Sequence, residues 1–175
     1  AQVKTGDYVF IQFGHNDEKT DEKRHTVPGG TFGANLRRFV DETRAKGGTP
    51  VLFNSIVRRH FVDSVLTDTH GAYLESPRNV AAERKVSFID LNTLSHKIVQ
   101  EMGPEESKKL FMWVVPNTVP AIAAGKQDDT HLNPRGAREI ARLAVDALSQ
   151  SVPELAKYIR RYDYVVATDG SGDFF

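Results

Sequence analysis

The strongest constraint on this chain is an almost unbroken apolar run, Tyr8-Val9-Phe10-Ile11-Gln12-Phe13, followed at once by Gly14-His15-Asn16-Asp17. Such a run fits a strand over 7–13, buried on both faces of a parallel sheet, whose carboxyl end is where these sheets place ligands. Residues 50–57 (Pro50-Val51-Leu52-Phe53-Asn54-Ser55-Ile56-Val57) and 86–91 (Val86-Ser87-Phe88-Ile89-Asp90-Leu91) read as two further strands. Helical signals separate them. Residues 32–46 set Leu36, Phe39 and Val40 on one face before Gly47-Gly48, and a helix is expected between 57 and 86. After Asn92, an N-cap candidate, Leu94, Ile98 and Met102 recur every four residues until Gly103-Pro104.

The last helix carries the fullest set of signals. Asn133 can cap it, Pro134 suits its first position, and Ala137, Ile140, Ala141, Ala144, Val145 and Leu148 form the expected buried stripe. Helices alternating with continuous apolar strands imply an α/β fold with a parallel sheet and right-handed crossovers. Three strands are few for a sheet covered on both faces, so a companion βα segment is expected upstream of residue 1.

At 175 residues the chain has the size of one domain, burying about 70% of the surface its unfolded form would expose. Lys+Arg and Asp+Glu both number 23, so no long-range field favours nucleic acid or an anionic membrane surface. There is no cysteine, which removes disulfides and thiolate zinc sites. No apolar run approaches membrane-spanning length.

The chemistry concentrates in two places. Asn16, just past a strand end, is placed to donate its amide to a developing oxyanion, worth about 3 kcal/mol; an Asx turn is the competing reading. In Asp128-Asp129-Thr130-His131, an acid three residues before a histidine suits a general base, His131, oriented by Asp128. Capping of the next helix by Asp129 or Thr130, with His131 merely exposed, stands beside it. Arg58 and Arg59, or Arg24 and His25, offer themselves to an anionic sugar carboxylate, against solvated charge as the default. Trp113 fits sugar stacking or core packing. His60, Asp63, Asp68 and His70 match no familiar metal signature, and Gly170-Ser171-Gly172 reads as a turn rather than a phosphate loop. A flavodoxin-like nucleotide binder would need such a loop.

The two blocks Phe10-Ile11-Gln12-Phe13-Gly14-His15-Asn16-Asp17 and Asp128-Asp129-Thr130-His131-Leu132-Asn133 resemble the third and fifth blocks of the SGNH (GDSL-like) hydrolases, within them the rhamnogalacturonan acetylesterase branch. The resemblance covers about residues 3–150. It implies a flavodoxin-like three-layer α/β/α sandwich and removal of acetyl groups from pectic polysaccharide by Ser-His-Asp chemistry, with no metal or cofactor. It also implies roles: Asn16 and Gly14 at the oxyanion, His131 as base, Asp128 as its orienting acid, and His15 and Arg58 against substrate. A secreted or periplasmic location follows only from the polymeric substrate.

The family's nucleophilic serine lies in a Gly-Asp-Ser block that is not in this chain, and Ser55 and Ser171 lack its context. The expectation is an N-terminally incomplete esterase domain over 1–152, inactive alone, with its serine contributed from outside. Residues 153–163 read as a linker. Residues 164–175 resemble the opening strand of a pectin methylesterase β-helix, implying a fused second pectin-acting domain. The alternative is a non-catalytic carbohydrate-binding or interaction domain on a degenerate SGNH fold.

Overall fold

The sheet is built from the three apolar runs. In the computed structural model, which describes residues 2–160, β1 (Tyr8–Gln12), α1 (Thr31–Ala45) and β2 (Thr49–Phe53) follow in order. A small hairpin comes next, β3 (Phe61–Val62) and β4 (Val65–Leu66). Its two-residue turn places Asp63 and Ser64 at φ 48° and 67°, the left-handed pair that such a turn requires. The remaining elements are α2 (Glu75–Arg84), β5 (Ser87–Ile89), α3 (Leu91–Glu106), β6 (Phe111–Val114), β7 (Lys126–Leu132), α4 (Pro134–Ser151) and α5 (Pro153–Ala156).

The main sheet has order β1-β2-β5 and is parallel, with Phe10 opposite Val51 and Leu52 opposite Phe88. Alternation along β2 sorts the core into two layers. Leu52 joins Ile11, Phe32, Leu36, Val40 and Val80 beneath α1 and α2, whereas Val51 and Phe53 join Ile89, Leu91, Ile140 and Leu148 beneath α3 and α4. This is the helix–sheet–helix sandwich. Each fully buried aliphatic contributes about 1.5–3 kcal/mol.

Several expectations need correction. β1 is not buried on both faces: it pairs only with β2 among the described residues, and Phe10 is 51% exposed on that edge. The cap of α3 is Asp90, not Asn92; the Asp90 side chain accepts from the Thr93 N–H, while Asn92 lies in the first turn and donates to the Ser55 carbonyl. Its fully buried line is Leu91, Ser95 and Val99, with Leu94, Ile98 and Met102 on the partly buried flank. Gly103, at φ 71°, breaks the helix where expected.

Asn133 caps α4 as expected, accepting from the Gly136 N–H at 2.9 Å and donating to the carbonyls of Lys109 and Phe111. The buried stripe is rotated, however. Ala137 and Ala141 are exposed, and Gly136, Ile140, Leu143, Ala144, Ala147 and Leu148 face inward. Gly136 sets that rotation by lying against Leu110: a Cβ there would stand 1.9 Å from the Leu110 carbonyl oxygen.

The linker expected over 153–163 begins instead with α5, whose Leu155 packs on the layer beneath α4. The segment 164–175 lies outside the described residues. Among those described, no helix is long and apolar enough to cross a membrane.

Candidate active site

Two segments frame a cleft of about 780 Å³ over the carboxyl ends of β1 and β2. Gln12, His15, Asn16 and Lys19 line it from one side, and Asp128, Thr130 and His131 from the other. Phe10, Phe53, Ile56, Leu91, Leu132 and Ile140 form its apolar part.

The first segment turns sharply after β1. Gly14 adopts φ +135°, and a Cβ there would stand 2.6 Å from Ser55 Oγ, so only glycine fits. The Asp17 carboxylate closes the turn, accepting from the Gly14 N–H at 3.1 Å and the Thr26 hydroxyl at 3.0 Å. The Gly14 N–H is therefore committed inside the loop, which Gly14 shapes by its backbone. Asn16 is exposed on the cleft wall, and its amide makes no hydrogen bond among the described residues. The Asx turn is not formed by this side chain.

His15 is half-buried, with its ring edge-on to His70 at 4.7 Å between centroids. Burial, then the nearby His70, Arg58 and His131, against a smaller opposing pull from Glu18, lower its pKa to about 4. At neutral pH it is an uncharged imidazole on the cleft wall. Arg58 also lines the cleft, but its guanidinium is tied down: it pairs with Glu18 and donates to the Thr69 hydroxyl at 3.1 Å and the His15 carbonyl at 3.4 Å. It braces the loop.

The second segment lies on a strand rather than at a helix cap. Residues 126–132 form β7, antiparallel to β6, with Met112 opposite Asp128 and Phe111 opposite Leu132. Residues 129, 130 and 131 thus bulge out opposite a single step of β6. Bulges of this kind re-aim side chains beside active sites. The polar run Lys126-Gln127-Asp128-Asp129-Thr130-His131 gave no strand signal of its own; β6 imposes it.

Asp128 holds the bulge together. Its Oδ1 accepts from the Thr130 and His131 N–H groups, each at 2.9 Å, and its Oδ2 lies 2.8 Å from His131 Nδ1 and 3.0 Å from Lys126 Nζ. Partial burial opposes its charge but is outweighed, chiefly by the His131 N–H, the Lys126 ammonium and the Thr130 N–H, so its carboxyl lies well below the usual carboxylate range. A carboxylate facing Nδ1 requires a proton there, which leaves Nε2 as the free basic nitrogen. The His131 side chain is 73% exposed at the cleft mouth.

The other candidates lie elsewhere. Arg59 and Trp113 do not line the cleft; Trp113 donates to Asp129 at 2.8 Å and stacks near Arg59. Arg24 pairs with Asp21, and His25 contacts the Lys19 carbonyl. His60 contacts Thr67, Asp68 accepts from the His70 and Gly71 N–H groups, and His70 contacts Glu18 and the Ile56 carbonyl. Among the described residues, no group of three or more acidic or histidine side chains is arranged to hold a metal ion. Gln12, Glu18 and Lys19 were not singled out from sequence. Gln12 had a signal, a lone polar residue near the carboxyl end of an apolar strand.

Residues 1–139 match the GDSL-like Lipase/Acylhydrolase family. The chain is 37% identical over 169 residues to rhamnogalacturonan acetylesterase RhgT of Bacillus subtilis (strain 168), covering 96% of this chain and 69% of that one. It is 30% identical over 149 residues to the probable rhamnogalacturonan acetylesterase YesY of the same organism, covering 85% and 64%. The chain thus spans about two thirds of these relatives. The crystal structure of YxiM from Bacillus subtilis superposes with a TM-score of 0.67 at 29% identity, over 85% of this chain and 38% of that one. With the family match spanning both segments of the cleft, the chain belongs to the GDSL-like (SGNH) hydrolases.

Proposed function

We propose that this chain carries the base and oxyanion half of a serine acetylesterase acting on pectic polysaccharide outside the cytoplasm. The observation that carries the proposal is the shared cleft, with a carboxylate-oriented His131 on one wall and, on the other, the Asn16 amide, which has no hydrogen bond among the described residues. The relatives named for rhamnogalacturonan acetyl esters support the substrate.

Among the described residues, the cleft lining contains one hydroxyl side chain, Thr130, and no serine. The nucleophile is a serine brought to the cleft by polypeptide beyond these 175 residues. His131 Nε2 takes the serine proton as Oγ attacks the acetyl carbonyl carbon. Asn16 donates to the oxygen as it gains charge. Collapse breaks the ester C–O bond, and the imidazolium returns its proton to the departing sugar oxygen. Water, deprotonated by His131, then cleaves the acyl-enzyme and releases acetate. His15 and Lys19 border the path of the sugar, and a pectin methylesterase-like domain in the same polypeptide would act on the same polymer.

Acetate release by the protein of natural length, compared on acetylated rhamnogalacturonan and acetylated xylan, tests this. Preference for the first is expected. Preference for xylan overturns the pectic substrate, and no release from either overturns the esterase, leaving a carbohydrate-binding domain.

A further inference from the structure

The two walls of the cleft belong to segments more than a hundred residues apart, and consecutive residues reach them both. Arg58 runs to the first wall, pairing with Glu18 and donating to the His15 carbonyl. Arg59 runs to the second. Its N–H donates to the Asp129 carbonyl at 2.8 Å, and its Nη1 donates to Asp129 Oδ1 at 2.5 Å.

We infer that the Arg58-Arg59 dipeptide is a positioning pair that fixes the Asn16 loop and the His131 bulge relative to each other. Residues 129–131 stand opposite a single ladder step, so regular pairing cannot hold them. Asp128, Thr130 and His131 line the cleft and Asp129 does not, which leaves Asp129 as the bulge's attachment to the body of the fold.

The attachment is built to be rigid. The Arg59 side chain is only 9% exposed, sits 5.0 Å from the Trp113 ring centroid and 5.8 Å from that of Phe61, and gives its Nη2 to the Pro104 carbonyl. Trp113 adds a second donor to the same Asp129 oxygen. Among the described residues, Arg59 Nε is buried without a hydrogen-bond partner, so this buried cation depends on Asp129 and Pro104 for its hydrogen bonds. A lysine cannot reproduce a guanidinium fork that serves two acceptors at once.

The inference concerns the site proposed above, but its readout needs no substrate, so an esterase assay that fails does not touch it. The test is the tautomer of His131, read from ring nitrogen chemical shifts of the labelled chain in wild type and Arg59→Lys. Wild type is expected to show the Nδ1–H form alone, as the Asp128 contact demands. In Arg59→Lys the bulge loosens and the ring passes to a mixture of both tautomers, while the Asn16 amide resonances, held through Arg58, stay in place. A folded Arg59→Lys chain with His131 in a single tautomer overturns the inference, since a purely structural role would lower stability and leave the ring unchanged. Should Arg59→Lys not fold, Asp129→Asn keeps an acceptor for Trp113 but weakens the Arg59 pair, and the same two outcomes apply.

Discussion

Asp128 holds His131 in two ways at once: one carboxylate oxygen accepts from the His131 backbone N–H at 2.9 Å, and the other faces His131 Nδ1 at 2.8 Å. Local chain geometry and ring tautomer are therefore set by the same group. Asp128→Asn separates them. The amide oxygen still caps the bulge, while an amide facing Nδ1 donates and favours the wrong tautomer. In the active protein kcat is expected to fall by about 10⁴-fold, with a loss of Tm, from the missing charge on the Lys126 contact, smaller than Asp128→Ala gives. Asp128→Ala also removes the backbone caps and costs about 1–2 kcal/mol in denaturant unfolding.

Asn16 separates catalysis from stability in the opposite sense. Because its amide makes no hydrogen bond among the described residues, Asn16→Ala is expected to leave unfolding free energy within about 0.5 kcal/mol of wild type. The same change lowers kcat by about 10²–10³-fold. A stability loss with unchanged kcat would restore the turn-forming role.

Gly14 has two reasons to be glycine, and they can be divided. Gly14→Ala meets both the positive φ and the 2.6 Å approach to Ser55 Oγ, and is expected to cost about 2 kcal/mol or more. Adding Ser55→Ala to that variant relieves the contact but not the backbone strain, so denaturant midpoints should show partial rescue. Full rescue would place the whole cost in the contact.

His15 supplies a pH signature. Its folded pKa, about 4, lies below its unfolded value of 6.5, so the unfolded chain binds the proton more readily. The contribution is fully present above pH 6.5 and is lost as pH falls from there towards 4. Unfolding free energy of wild type should rise as pH increases from about 4 to 6.5, and His15→Asn should flatten the rise. An unchanged slope would remove His15 as its source.

Much of this could be read from residues, and the rest shows where periodicity fails. The apolar runs at Tyr8, Pro50 and Val86 became the three parallel strands because a buried strand announces itself by composition. The polar stretch Lys126–Leu132 carried no such mark, since its pairing depends on Phe111–Val114 far behind it in sequence. Asp128 and His131 were legible because their contact is local. The Glu18–Arg58 and Arg59–Asp129 links were not, because they join residues 40 and 70 positions apart. Asp90 is hidden for a different reason: the run 86–91 reads as strand through Leu91, yet β5 ends at Ile89 and leaves Asp90 to cap α3 through the local Thr93 N–H.

The most direct measurement is acetate release from acetylated rhamnogalacturonan by the protein of natural length, wild type against His131→Ala, with Tm recorded for both. His131 is largely exposed, so the substitution should not disturb folding. Loss of about 10⁵–10⁶-fold in kcat at unchanged Tm is the predicted result. Acetate release by His131→Ala at the wild-type rate would contradict the assignment of this cleft as an esterase site.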